Sequence, residues 1–208
     1  MARGRVELSS LGIQDEYITG DPQITFFHKN FKRHSKFSLD VVDCEINGTP
    51  GFGNTVDSII DYQGDVIRTL YAKVTLPPIV DAAINNLGYT DSIGYALFEH
   101  IDLFIGGQLI ERLTGELMDI YSELWVSDSK QRALSLMVGK TGSQFGLGNA
   151  TTPRELIVPL SFYFHNDPSM AIPLCALTRQ NIELNIKTAE LSKLVVCTSS
   201  PHIVPANL

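Results

Sequence analysis

Gly139-Lys140-Thr141 is the triplet in this chain that most invites a catalytic or nucleotide-binding reading. A phosphate-cradling loop needs a glycine five residues before its Gly-Lys pair and a strand leading into it, so that successive backbone N–H groups close on the anion. Position 134 is leucine and the preceding segment has helical spacing, so the triplet lacks that context. The five histidines (28, 34, 100, 165 and 202) are scattered, with no HExxH pair and no carboxylate at ligand spacing. There is no GxSxG elbow, and Cys175 stands between Leu174 and Ala176 in an apolar run, where a thiol is inert. Asp15 and Glu16 are adjacent and solvated rather than poised across a substrate. The chemistry-bearing residues thus predict no catalytic site, no metal site and no cofactor. Asn47-Gly48-Thr49 and Asn149-Ala150-Thr151 are glycan-acceptor triplets in loops, which makes Asn47 and Asn149 candidate modification sites.

The elements that carry these residues are mostly strands. In Leu156–Phe164, Leu156, Val158, Leu160, Phe162 and Phe164 fall at every second position, the period of a strand with one buried face. Five large apolar side chains on one side need an opposing sheet. His165-Asn166-Asp167-Pro168 ends the run, because Asn and Asp bond their own backbone and proline fixes φ. Further strands are expected at 37–46, 56–62, 66–76, 98–105, 108–112 and 181–187. Gln63-Gly64-Asp65 is expected to close a hairpin between the second and third of these, and Gly106-Gly107 between the fourth and fifth. Pro77-Pro78 stops the third, since neither proline donates to a ladder.

Residues 79–97 read as a surface connection with one helical turn. Leu113, Leu117, Ile120, Tyr121, Leu124 and Trp125 switch to helical spacing and predict an inward apolar face, with Glu116, Asp119 and Glu123 on the other side. A second short helix runs to Met137, and the pair is expected to cover one end of the sheets. Residues 139–153 form a long polar loop. The fold class that results is all-β, an antiparallel two-sheet jelly-roll sandwich with short helices in its loops, spanning 24–208 behind an N-terminal arm over 1–23.

Composition agrees with a core-forming domain: 44% of residues are apolar and 19% charged. The net charge of −7 excludes a phosphate-binding surface over the whole body, and no specific nucleic-acid contact is expected. Residues 1–37 nevertheless hold six basic side chains against four acids, and Lys29, Lys32, Arg33 and Lys36 form a basic cluster interleaved with aromatics, suited to an anionic partner or to anchoring the arm as a strand edge. Cys44, Cys175 and Cys197 show no CxxC spacing and read as reduced core residues of an intracellular protein. No apolar run approaches the ~18 residues that span a bilayer.

Four blocks, in order, resemble one family. They are Asp15-Glu16-Tyr17-Ile18-Thr19-Gly20-Asp21-Pro22-Gln23-Ile24-Thr25-Phe26-Phe27, Asn47-Gly48 with Gly51-Phe52-Gly53, the block from Ile101 to Ile110 (IDLFIGGQLI), and Val158-Pro159-Leu160 through Asn166-Asp167-Pro168 to Ile172-Pro173-Leu174. Together they are similar to the major capsid proteins of nucleocytoplasmic large DNA viruses. The resemblance implies a double jelly roll, three copies of which form a pseudo-hexagonal capsomer that tiles an icosahedral shell over an internal membrane. It implies a structural role in the virion, assembled in the host cytoplasm, with copies of itself and minor capsid proteins as partners. It also places the N-terminal arm and its cluster Lys29, Lys32, Arg33 and Lys36 on the inner face, near the membrane.

The chain departs from that family by its length, about half, and matches only the first roll; Val204–Leu208 reads as the start of a strand cut short. A fragment of a longer protein and a naturally short relative completed by another chain are both compatible with this. Two other functions fit a jelly roll: a single-jelly-roll minor or penton capsid protein, and a carbohydrate-binding module with Tyr89, Asp91 and Tyr95 as its candidate sugar contacts.

Overall fold

The computed structural model describes residues 36–79, 87–140, 153–177 and 179–197. The backbone divides into a unit Met1–Val41, of which only the extended, exposed stretch 36–41 is described, and a unit Val42–Leu208. The second unit is mostly antiparallel sheet with a few short helices.

Its strands are β1 (Ile46–Asn47), β2 (Thr55–Ile60), β3 (Val66–Ile67), β4 (Leu70–Leu76), β5 (Leu87–Tyr89), β6 (Phe98–Ile105), β7 (Gln108–Leu113), β8 (Arg154–Leu160), β9 (Ile172–Pro173), β10 (Ile182–Thr188) and β11 (Val195–Cys197). The helices are α1 (Ile93–Ala96), α2 (Gly115–Trp125), α3 (Asp128–Val138) and α4 (Leu191–Leu194). A five-stranded sheet runs in the order β1-β2-β10-β6-β7. Among the described residues, three two-stranded ladders, β4–β8, β3–β9 and β5–β11, complete the pairing. β3 and β4 are consecutive in the chain, and their partners β9 and β8 are joined by residues 161–171.

Alternation explains the sandwich. Along β2 every second residue is buried, ending on Val56, Ser58 and Ile60, and β10 places Ile182 and Leu184 beside them. The row Val56–Ile186–Ile101–Leu113 crosses four strands on the inner side. Facing it, Leu156, Val158, Leu160, Phe162 and Phe164 are all at most 2% exposed, as their spacing predicts. The strand itself stops at Leu160; Phe162 and Phe164 stay in the core because the following turn carries both inward, with their rings stacked at 5.7 Å. Burying each such side chain contributes about 1.5–3 kcal/mol, so one continuous cluster holds the layers together.

Several sequence expectations are confirmed. Gly106 and Gly107 take φ of 59° and 79° in the β6–β7 hairpin, the left-handed pair that a two-residue turn requires. β4 ends at Leu76, ahead of Pro77-Pro78, and 168–170 is a 3-10 turn capped by Asp167, whose carboxylate accepts from Ser169 N at 3.1 Å.

Others need correction. The expected hairpin at Gln63-Gly64-Asp65 does not form: β2 pairs with β1 and β10, whereas β3 and β4 pair with β9 and β8, so this loop carries the chain from one ladder system to another. Residues 37–45 are exposed and outside any strand. Residues 87–97 are no surface connection, because Tyr89, Ile93, Tyr95 and Leu97 belong to the core. Cys44 and Cys175 are exposed: Cys44 lies in extended chain before β1, and Cys175 on a 3-10 turn after β9 rather than in a core strand. The arm over 1–23, most of the 139–153 loop and Val204–Leu208 lie outside the described residues.

Candidate assembly surface

No described residues converge on a reaction centre. Lys140, the cation of the Gly-Lys-Thr triplet, is engaged by the carboxylates of Asp119 (3.4 Å) and Glu123, which clamp the end of α3 to α2. Those acids, Glu123 first, raise the Lys140 ammonium above its ordinary value. Among the described residues no three His, Cys, Asp or Glu side chains are placed to hold a metal ion. No helix among them is long and apolar enough to cross a membrane.

The sugar-contact candidates do not form a site. Tyr89 is 5% exposed and its hydroxyl donates to the Pro77 carbonyl at 2.7 Å; burial pushes the phenol up to about 12. Tyr95 is also buried, and only Asp91 stands at the surface, accepting from Ser92 N. Asn47 is exposed on the edge strand β1, opposite Asp57. Lys36 is exposed; Lys29, Lys32, Arg33 and Asn149 lie outside the described residues.

What the structure presents instead is apolar surface, centred on α2. Thr114 caps the helix, its hydroxyl accepting from Leu117 N at 3.3 Å. Gly115 then lies flat against the backbone carbonyls of Tyr95 and Phe98, which lets the side made by Gly115, Met118 and Ser122 pack inward. The expected inward face is thereby turned out. Leu117, Ile120 and Leu124 are 47%, 56% and 69% exposed, in an i, i+3, i+7 stripe diametrically opposite the buried side. Trp125, 67% exposed, stacks in parallel on Tyr121 at 5.1 Å. The sequence carried one clue to this facing: small residues at 115 and 122 bracket Met118, and small residues are what close approach of a helix requires.

A second exposed apolar face lies on the β4–β8 ladder. Tyr71 opposes Pro159, which is buried, and Lys73 opposes Ile157, with Tyr71 and Ile157 51% and 44% exposed. The 161–171 turn borders the ladder, where the His165 ring meets Tyr71 edge-on at 6.2 Å.

Among the described residues, α2 and the β4–β8 ladder both expose large apolar side chains. The family model described as major capsid protein N-terminus matches residues 25–208. The chain belongs to that family. It is 34% identical over 189 residues to the major capsid protein of Pyramimonas orientalis virus, covering 90% of this chain and 47% of that protein. It is 30% identical over 184 residues to the major capsid protein of Paramecium bursaria Chlorella virus 1, covering 88% of this chain and 40% of that protein. Among solved structures, the quasi-atomic model of the PBCV-1 virus capsid superposes with a TM-score of 0.65 at 27% identity, over 79% of this chain and 38% of that one. The Faustovirus major capsid protein, at 14% identity and a TM-score of 0.51, shares the fold. The antiparallel jelly-roll sandwich expected from the sequence is therefore the fold of this family. The chain spans less than half the length of these curated relatives. They are structural capsid proteins, components of virions.

Proposed function

We propose that the chain is the N-terminal jelly roll of a structural capsid subunit, and that it acts by associating with copies of itself into trimeric, pseudo-hexagonal capsomers that tile an icosahedral shell. The observation that carries this reading is the match to the PBCV-1 capsid over 79% of the chain. The outward apolar faces of α2 and the β4–β8 ladder supply the surface that association needs. On this reading 24–208 is one domain behind the arm 1–23, and the protein performs no catalysis. The double-jelly-roll relatives, more than twice as long in matched terms, favour a major capsid subunit over a minor or penton protein. Burial of Tyr89 and Tyr95 removes what favoured a sugar-binding module.

We further assign Lys29, Lys32, Arg33 and Lys36 to the shell's inner face, where a basic cluster suits an anionic membrane surface. Minor capsid proteins are the expected neighbours there, with assembly in the host cytoplasm. Asn47, exposed on an edge strand, is accessible to a glycan transferase, and Asn149 is its weaker counterpart.

The test is the mass and assembly state of the native protein, by intact-mass spectrometry with light scattering on material from its natural source. A stable three-copy species without added ligand is expected. A monomer at every concentration overturns the capsomer reading.

A further inference from the structure

We propose that the outward stripe of α2 docks on the outer face of the β4–β8 ladder of a second copy, so that subunits join head to tail. The proposal deepens the self-association reading and rests on it.

The helix cannot rotate to turn this stripe inward. The helix is held by the Thr114 cap, by the approach of Gly115 to two carbonyls, by fully buried Met118 and by the Lys140 clamp. Turning Leu117, Ile120 and Leu124 inward would break all four. With Trp125 they form a continuous exposed apolar stripe, and exposed apolar patches mark contact sites.

Charge selects the occupant. The stripe is edged by Glu116, Asp119 and Glu123; Lys140 serves the latter two, and Glu116 makes no ion pair with a described residue. Two such stripes laid antiparallel against each other would set these acids together. The ladder face has the opposite rim. Lys73 sits beside exposed Tyr71 and Ile157, and exposed Arg68 lies just ahead of β4; neither cation has an ion-pair partner among the described residues. One acid, Glu155, lies at the far end opposite Thr75. An apolar stripe with an acidic edge thus meets an apolar face with a basic edge, and Trp125 offers its ring to whichever cation it reaches. Two different patches make a heterologous contact. Such contacts close into rings when the rotation allows, as a threefold assembly demands.

The experiment uses the full-length native subunit in sedimentation velocity over a range of concentrations. One variant carries Ile120→Asp with Leu124→Asp, the other Lys73→Glu with Tyr71→Ala; far-ultraviolet circular dichroism and melting confirm that each is folded. Each variant alone is expected to associate at least tenfold more weakly than wild type. Mixed, they are expected to form a one-to-one dimer, because one intact stripe then meets one intact ladder face. Wild type that associates while both variants match its affinity overturns the assignment and leaves self-association standing. So does a mixture that stays monomeric. A wild-type chain monomeric throughout overturns both readings. Should the stripe variant unfold, Glu116→Lys takes its place, with the charge swap Glu116→Lys plus Lys73→Glu expected to recover association lost in either single variant.

Discussion

Asp102 and Arg112 stand opposite each other on β6 and β7, and the guanidinium closes on the carboxylate through Nε–Oδ1 and Nη2–Oδ2 hydrogen bonds of 2.6 Å each. The pair ends a polar row across the outer side of the sheet. Asn185, opposite Asp102 on β10, donates through Nδ2 to Asp57 Oδ1 at 2.6 Å on β2. The next row, Val56–Ile186–Ile101–Leu113, is the inner one, so a slip of one residue would bury the charges and expose the core.

Asp102→Asn keeps the shape and removes the charge. A charge-assisted hydrogen bond contributes about 1.5–3 kcal/mol; because Arg112 is half exposed, solvent screening leaves an expected loss of about 1–2 kcal/mol. The Arg112 hydrogen bond, then its charge and that of His100, hold the Asp102 carboxyl below its ordinary value against the opposing effect of burial. Its contribution is therefore complete above the ordinary carboxylate range, near pH 4, and disappears as pH falls through the lowered folded value. Urea unfolding at pH 7 and pH 3 should show a gap between wild type and variant that narrows in acid.

Gly115→Ala sets helix propensity against packing. Alanine favours the helix by up to about 1 kcal/mol. A Cβ here, however, would stand 2.7 Å from the Phe98 carbonyl oxygen and closer still to that of Tyr95. Overpacking of this kind costs about 1–3 kcal/mol, so net destabilisation is expected, and denaturant unfolding that shows a gain would contradict the inward facing of α2.

Met118→Ala and Leu124→Ala test that facing directly. Met118 is fully buried, and its truncation should cost about 2–5 kcal/mol. Leu124, 69% exposed, should change monomer stability by no more than about 0.5 kcal/mol. Melting curves on dilute protein distinguish the two, and equal effects would mean that the helix is rotated.

His165 should make stability depend on pH near neutrality. Its Nδ1 is buried without a partner among the described residues, and burial, then the charge of Arg68, lowers its pKa. The folded protein resists protonation that the unfolded chain accepts near pH 6.5. The contribution is therefore intact above that value and declines as pH falls from about 7 towards the lowered folded value. Unfolding measured between pH 7.5 and 5 should show this slope in wild type and a shallower one in His165→Phe; identical slopes would exclude His165 as its source.

Tyr89→Phe leaves the Pro77 carbonyl without its donor and should cost about 1 kcal/mol. In ultraviolet titration of the folded protein, the variant should lack one phenol ionising at about 12. The unfolded chain ionises near pH 10, so wild-type stability should also fall above that pH.

Local chemistry settled what the sequence by itself could determine here. The every-second-residue apolar run from Leu156 to Phe164, the paired glycines after Ile105 and the proline pair after Leu76 act through steric and burial rules that hold in any surroundings. They determined where β4 and β6 stop and which residues from Leu156 to Phe164 face the core, although the strand itself ends at Leu160. Four ordered blocks of residues determined the family. Partners and facings were decided only by the tertiary structure. The alternation of β2 and β4 is equally satisfied by a hairpin between them or by β10 and β8, and only the closed core selects the latter. Helix α2 has apolar residues on two sides, and its 3.6-residue period cannot say which is inner. The carbonyls of Tyr95 and Phe98 decide, because they admit only the side on which Gly115 has no Cβ. That choice turned Leu117, Ile120 and Leu124 to the surface, and it is the reason an apolar face that reads as core in the sequence is exposed in the fold.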